Sequence, residues 1–360
     1  MQRRKSVLLL VILSFGAISK AGNTTESALM GALESRLAHL KLKSDDLRLL
    51  VARQVIARSL SARSTRQMGG LSLMLADAAP DAFIEGYRTL KSFQQNRYML
   101  ASGRFSSAPV IKDLAGLTID DKDLYALANC RTNESDIKLS QQDINQFQSA
   151  AGPVSVLTPK LKIQLAAQYK ELLLNRVKTY LAKGSAALAD FADKEDPVDA
   201  KQVFSSIVRE QASNAGHCEH LYTDLENYPA VSATDSESFI YWAKQNFGTL
   251  KPVINLVHVL IHREGSRIFV ASKQIYSSHY TEGALSVAEL IPFTDAEGRP
   301  HTMVVYSIRL QLDMLGGILG SMKKRMAQPK MLATLKESLS GMRQTMEATA
   351  GVVGQAKVAR

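Results

Sequence analysis

The stretch "VINLVHVLIHREGSRIFVASKQIYSSHYTEGALSVAELIPF", residues 253–293, decides the fold. Before Pro252 apolar residues recur at threes and fours; after it they recur at twos, and helical periodicity gives way to strand periodicity. With the residues that follow, four strands are predicted: Val253–His262, Arg267–Tyr276, Ala284–Ile291 and Thr302–Gln311. The segments between them are short enough to join only antiparallel neighbours. A helix is then expected from Asp313, with Leu315, Ile318, Leu319, Met322 and Met326 on one face. Pro329 should kink or break it before the stripe resumes at Leu332, Leu335, Leu339, Met342 and Met346.

Upstream, the pattern reads as helical. Leu33, Leu37, Leu40, Leu47, Leu50 and Ile56 recur at helical spacing, with breaks at Gly69-Gly70 and at Ala79-Pro80-Asp81. A long helix is predicted over Leu161 to Ala192, and shorter ones after Asp120-Asp121, over Lys138 to Phe147, after Pro197, over Tyr222 to Asn227 and over Ser236 to Phe247. The expected class is α+β: a helical N-terminal half, then an antiparallel sheet wrapped around a long C-terminal helix. The divisions that follow are a leader at 1–21, helical regions at 22–150 and 151–250, strands and long helix at 251–347, and a flexible tail at 348–360.

The leader has a basic start (Arg3, Arg4, Lys5), an apolar run from Val7 to Leu13 that continues to Ile18, and small residues at Ser19 and Ala21. This is the pattern of a secretory signal peptide, far short of the roughly 20 apolar residues a membrane span needs. Cleavage near Ala21 and a periplasmic or secreted location are expected. The chain carries a formal charge of +10, of which the leader supplies four positive charges. Residues 321–360 hold eight basic side chains against Glu337 and Glu347, so residues 22–320 are neutral. Basicity confined to one terminal helix argues against nucleic acid and points that helix toward solvent or an anionic membrane surface. The two cysteines, Cys130 and Cys218, are either a disulfide in an oxidising compartment or two buried thiols.

The meander followed by one long amphipathic helix resembles the end of the START and polyketide-cyclase superfamily, the helix-grip fold. The likeness covers about residues 250–347 and lies in the order of elements. It implies a curved sheet gripping the terminal helix around an apolar cavity. The motifs "VASKQIYSSHY", "KPVINLVHVLI" and "CRTNESDIKLS" are also similar to an uncharacterised group of secreted bacterial proteins. In that group a second cysteine stands near the end of the last motif, where this chain has Ser135 or Asp136, which puts a local disulfide at Cys130 out of reach.

Catalytic signatures are weak. His258 and His262, four apart on a strand, share a face but lie roughly 13 Å apart, too far for one metal ion. "HCEH" at residues 217–220 offers His217 and His220 as weak metal ligands, with no second ligand cluster beside it. Ser272, Ser277 and Ser278 lie near His279 without a nucleophile elbow or a nearby Asp, and no Gly-rich phosphate loop follows a strand, so no cofactor is expected. A cavity reading remains, with Ile268, Val270, Ser272, Gln274 and Tyr276 on one face of the second strand and Phe269, Ala271, Lys273 and Ile275 on the other.

The expected function is an exported binding protein or carrier for a hydrophobic or amphipathic molecule such as a lipid, held between the C-terminal sheet and its helix. Tyr276, His279, Glu289, Tyr306 and Arg309 would supply polar contacts, and Met314, Ile318 and Met322 the apolar lining. The alternatives are an acid-base enzyme of cyclase or hydratase type using His279 with Tyr276 and Glu289, and a non-catalytic structural or interaction protein.

Overall fold

The computed structural model describes residues 16–90, 97–213, 218–230, 235–248 and 250–358. The alternating stretch builds β5 (Val253–Glu264), β6 (Arg267–Ser277), β7 (Thr281–Thr294) and β8 (Pro300–Leu312), each antiparallel to the next. The class is α+β, as expected, and the long C-terminal helix packs on the sheet.

The sheet is larger than the alternation alone predicts. Three strands come from segments whose spacing reads as helical, β1 (Ile56–Leu60), β2 (Gln67–Ala76) and β4 (Ser236–Gln245), and a fourth, β3 (Met99–Arg104), from a stretch where no element is expected. They complete eight strands in the order β1-β2-β8-β7-β6-β5-β4-β3. The apolar runs of β2 and β4 are buried on both faces, so neither strand shows a period of two. Gly69-Gly70, expected as a break, lies inside β2 because a helix comes too close for a side chain. A Cβ on Gly70 would stand 2.6 Å from Leu335 Cδ1 and 3.1 Å from Met331 Cε.

One face of the sheet carries two groups of helices. Over β1, β2, β7 and β8 lie α1 (Gly16–Arg36) and α2 (Ser44–Val51), whose Leu33, Leu37, Leu47 and Leu50 pack with Leu73, Leu75, Met303 and Phe293. Over the rest lie α4 (Asp121–Ala128), α5 (Gln141–Ala151), α6 (Pro159–Lys183), α7 (Ala200–Ala212) and α8 (Glu219–Asn227), which bury Leu256, Leu260, Phe269, Ala271 and Leu285. Side chains set where these helices start: Ser140, Thr158 and Asp199 accept from the backbone N–H groups of Asp143, Leu161 and Gln202. On the other face, α3 (Pro80–Arg88) and α9 (Gly320–Val358) cover Met74, Val259, Val270, Ala288 and Val304.

The terminal helix differs from expectation at its start. Asp313–Leu315 is a single 3-10 turn, Gly317 takes a positive φ of 75°, and α9 begins at Gly320. Its sheet-facing stripe is Leu335, Leu339, Met342 and Met346, all buried. Pro329 stays inside one continuous helix; Arg325 and Pro329 are both exposed, so the carbonyl that loses its donor is on the solvent side. The backbone of α9 continues to Val358, through the segment expected as a flexible tail. The apolar run of the leader lies outside the described residues, and the position of the expected cleavage near Ala21 falls within α1. No helix among the described residues is long and apolar enough to cross a membrane.

Candidate functional site

The expected polar contacts do not meet in one cavity. A β-bulge in the β5–β6 ladder, where Leu256 pairs with Tyr276 and Val257 with Gln274, turns Tyr276 off the face of Ser272 and Gln274 and onto the helical side. There its hydroxyl donates to the Lys138 carbonyl at 3.0 Å and meets the Tyr169 hydroxyl at 2.9 Å. His279 is buried with Nδ1 2.8 Å from the Asp136 carbonyl and Nε2 3.2 Å from Asp123 Oδ1. Both ring nitrogens therefore face protein oxygens.

Glu289 and Arg309 interrupt apolar faces, and each has its own partner. Arg267 Nη1 donates to Glu289 at 2.8 Å, and Arg309 Nη1 donates to Glu210 at 2.9 Å and to the Ser61 carbonyl at 2.7 Å. Tyr306 lies on the opposite face, near Ser286, Tyr87 and Tyr241, with burial raising its hydroxyl pKa. Met314 is half-buried, but Ile318 is 103% exposed and Met322 54% exposed, so the expected apolar lining points to water. The late start of α9 is the reason. The Gly316-Gly317 break removes Ile318 from the helix, and Met322 lies on the side away from Leu335.

A cleft of about 570 Å³ opens elsewhere, where β3 leaves the sheet edge. β3 pairs with β4 only from Tyr241 to Gln245, and the Phe105 N–H makes the last bond, to the Ile240 carbonyl at 2.9 Å. The chain then turns away and uncovers the first half of β4. Asp113 fixes that turn: its carboxylate accepts from Ser106 N, Ser106 Oγ and Val110 N at 3.1, 2.8 and 3.0 Å. Burial would raise the Asp113 pKa, but these three bonds hold it below its ordinary value. The walls combine apolar groups (Phe105, Leu181, Phe239, Ile240) with polar ones (Arg104, Ser238). Arg104 lies over the Phe239 ring at 4.1 Å, so the cation is held at the rim.

His258 lines this cleft and is fully buried. Its Nδ1 meets the Tyr180 hydroxyl at 3.0 Å, its ring centroid lies 4.4 Å from that of Tyr228, and Nε2 has no hydrogen-bond partner among the described residues. Burial, with a smaller contribution from Lys273, pushes the His258 pKa down to about 3, so the ring is neutral and Nε2 offers one donor or one acceptor. Behind it, Lys273 is buried, and its Nζ donates to Ser185 Oγ at 2.6 Å and to the Leu225 carbonyl at 3.4 Å. Burial pushes Lys273 down to about 7. A neutral amine has two N–H groups, which match these two acceptors. The cleft's shape rests on Gly184, the C-cap of α6 at a φ of 57°, where an added Cβ would lie 1.5 Å from the Tyr228 carbonyl oxygen.

From the sequence alone, His258 and Lys273 are ordinary residues of sheet strands. The missed signal is that each is a polar side chain on a strand whose face is otherwise Ile254, Leu256, Leu260, Phe269 and Ala271. His217 lies outside the described residues, and His220 is exposed on α8. Both cysteines are free and buried. Cys130 Sγ lies 3.9 Å from the Ile144 carbonyl, whereas Cys218 sits beside His262 and Glu264, so the candidate disulfide does not form. Burial raises the Cys130 thiol to about 11. Burial, with a contribution from Glu264, raises the Cys218 thiol to about 12. Neither is a reactive thiolate at neutral pH. No protein-family model matches the chain, and no curated protein matches it.

Proposed function

We propose that the protein is a binding protein or carrier for a small amphipathic molecule, exported as its leader suggests, and that the ligand occupies the cleft over His258. The observation that carries this reading is a buried imidazole nitrogen, His258 Nε2, that has no hydrogen-bond partner among the described residues, on a side chain that belongs to the lining of a cleft of ligand size. Phe105, Tyr228, Phe239 and Leu181 suit an apolar body, His258 one polar atom of it, and Arg104 an anionic head at the rim. The helix-grip likeness of β5–β8 and α9 supports a ligand-holding role, with the pocket moved from the helix-sheet interface to the sheet edge.

The test is a titration of the full chain with 1-anilinonaphthalene-8-sulfonate and with laurate, beside native mass spectrometry and organic extraction of the purified protein. Ser238 is exposed at the mouth, so Ser238→Trp fills the cleft without disturbing the core. Loss of both probes in that variant is the expected result. Unchanged binding by a folded Ser238→Trp protein overturns the assignment.

A second reading concerns where such a carrier loads. Ile318, Leu319, Met322 and Met326 are exposed large apolar residues around the start of α9, interleaved with Lys323, Arg325 and Lys330. Apolar side chains flanked by basic ones suit an anionic lipid surface. Flotation with vesicles containing about a third phosphatidylglycerol should carry the wild type up, consistent with a contribution of about 1 kcal/mol per basic residue near the surface. Met322→Glu with Met326→Glu should remain at the bottom, and equal flotation of both proteins would refute the docking.

A further inference from the structure

The "HCEH" string contributes to a different cluster from the one its spacing suggests. Cys218 is the residue immediately before α8, and it is buried. Across from it, β5 ends in His262-Arg263-Glu264; residues two apart on a strand project from the same face, so His262 and Glu264 both face the helical layer. One ligand atom from each of Cys218, His262 and Glu264 lies within 4.8 Å of the other two. His262 is only 6% exposed, and its Nδ1 has no hydrogen-bond partner among the described residues.

We propose that Cys218, His262 and Glu264 form a site for one Zn²⁺ ion at the end of the sheet. A thiolate, an imidazole and a carboxylate make a borderline-soft donor set that suits zinc and leaves calcium and magnesium, which need six or more oxygens, poorly served. At zinc bond lengths of about 2.0–2.3 Å, tetrahedral ligand atoms stand roughly 3.3–3.8 Å apart, so the spacings here, all within 4.8 Å, close by at most about 1–1.5 Å. Glu264 is exposed and supplies that movement, while the two buried ligands stay in place. Three protein ligands leave the fourth position to water on the Glu264 side. The ion would tie the entry of α8 to the sheet. It is separate from the cleft, since His262 stands roughly 13 Å along β5 from His258.

The experiment is a calorimetric titration of chelator-treated full-length protein with Zn²⁺, paired with absorption spectra of the Co²⁺-loaded protein. One equivalent of Zn²⁺ should bind, and Co²⁺ should give a thiolate-to-metal charge-transfer band with the visible bands of a tetrahedral ion. Cys218→Ser and His262→Gln should each weaken Zn²⁺ binding by about 100-fold and Glu264→Gln by about tenfold. His220→Ala, which alters an exposed neighbour, should bind as the wild type does. Glu264→Gln changes an exposed side chain and folds whatever the buried variants do, so its result stands alone. Absence of the charge-transfer band, or Zn²⁺ affinity unchanged in Cys218→Ser and Glu264→Gln, overturns the proposal and marks any binding as adventitious.

Discussion

The hydroxyl of Tyr180 and Nδ1 of His258 lie 3.0 Å apart, and this bond joins the longest helix of the sheet's helical layer to the strand that floors the cleft. It also decides the tautomer of His258, and with it whether Nε2 is a donor or an acceptor. If Tyr180 donates, Nε2 carries the hydrogen; if Tyr180 accepts, Nε2 is the acceptor.

Tyr180→Phe removes that hydroxyl and nothing else. Nδ1 is left buried without a partner, as Nε2 already is, and folding stability should fall by about 1–3 kcal/mol. Urea unfolding measures this. The double variant Tyr180→Phe with His258→Leu removes both polar partners and should recover most of the loss, while binding 1-anilinonaphthalene-8-sulfonate more weakly than the wild type.

Lys273 makes stability depend on pH in a definite direction. Burial, opposed only weakly by Glu226, holds its folded pKa near about 7, against about 10.4 in an unfolded chain. Between those values the unfolded state binds a proton that the folded state does not, so stability rises with pH from about 7 to about 10. Below 7 the full penalty of a buried ammonium is present, softened by its approach to 3.8 Å from the Phe204 ring centroid. Lys273→Met should flatten the pH 7–10 profile by a few kcal/mol, within the scale of a shift of this size. A profile as steep as the wild type's in that variant would assign the dependence elsewhere.

Arg309 and Glu210 form a buried pair, so removing one partner strands the other. Glu210→Gln should cost about 3–5 kcal/mol by leaving a buried guanidinium without its counter-charge. Replacing both with apolar residues of similar volume should cost far less. Thermal unfolding of the single and double variants separates the two outcomes.

Gly184→Ala tests the backbone beneath the cleft. The added methyl group meets the Tyr228 carbonyl oxygen, which is backbone and has no flexible end to move aside. Destabilisation on the order of 3 kcal/mol or more is expected, together with loss of probe binding as Tyr228 shifts. Gly248→Ala also replaces a glycine at positive φ, but no atom lies within 4 Å of its Cβ, so it should cost only about 1 kcal/mol and leave binding intact.

The meander was legible because β5–β8 alternate over long runs and are joined by short polar turns. β2 was not, because Met68, Leu71, Leu73, Met74 and Leu75 are good helix formers with no β-branched residue among them, and β4 was not, because its continuous apolar run from Phe239 to Ala243 carries no period of its own. Residues of the candidate site were visible one at a time. Their grouping was not, because Tyr180, Tyr228 and His258 come from three separate segments that only the tertiary fold brings together. The β-bulge that redirects Tyr276 leaves no mark in an unaligned sequence, since a single extra residue alters facing without altering composition.

The pairing of β2 with β8, which sets Gln67 opposite Gln311, has a consequence for how the chain reaches its native state. The β1–β2 ribbon has no sheet to join until β8, more than two hundred residues later, has been made, and α9, which covers Gly70, comes later still. Synthesis in order cannot therefore finish the sheet in order. Folding must close a loop of more than two hundred residues, which places this protein among slow folders and leaves the apolar β2 strand exposed to wrong partners while it waits.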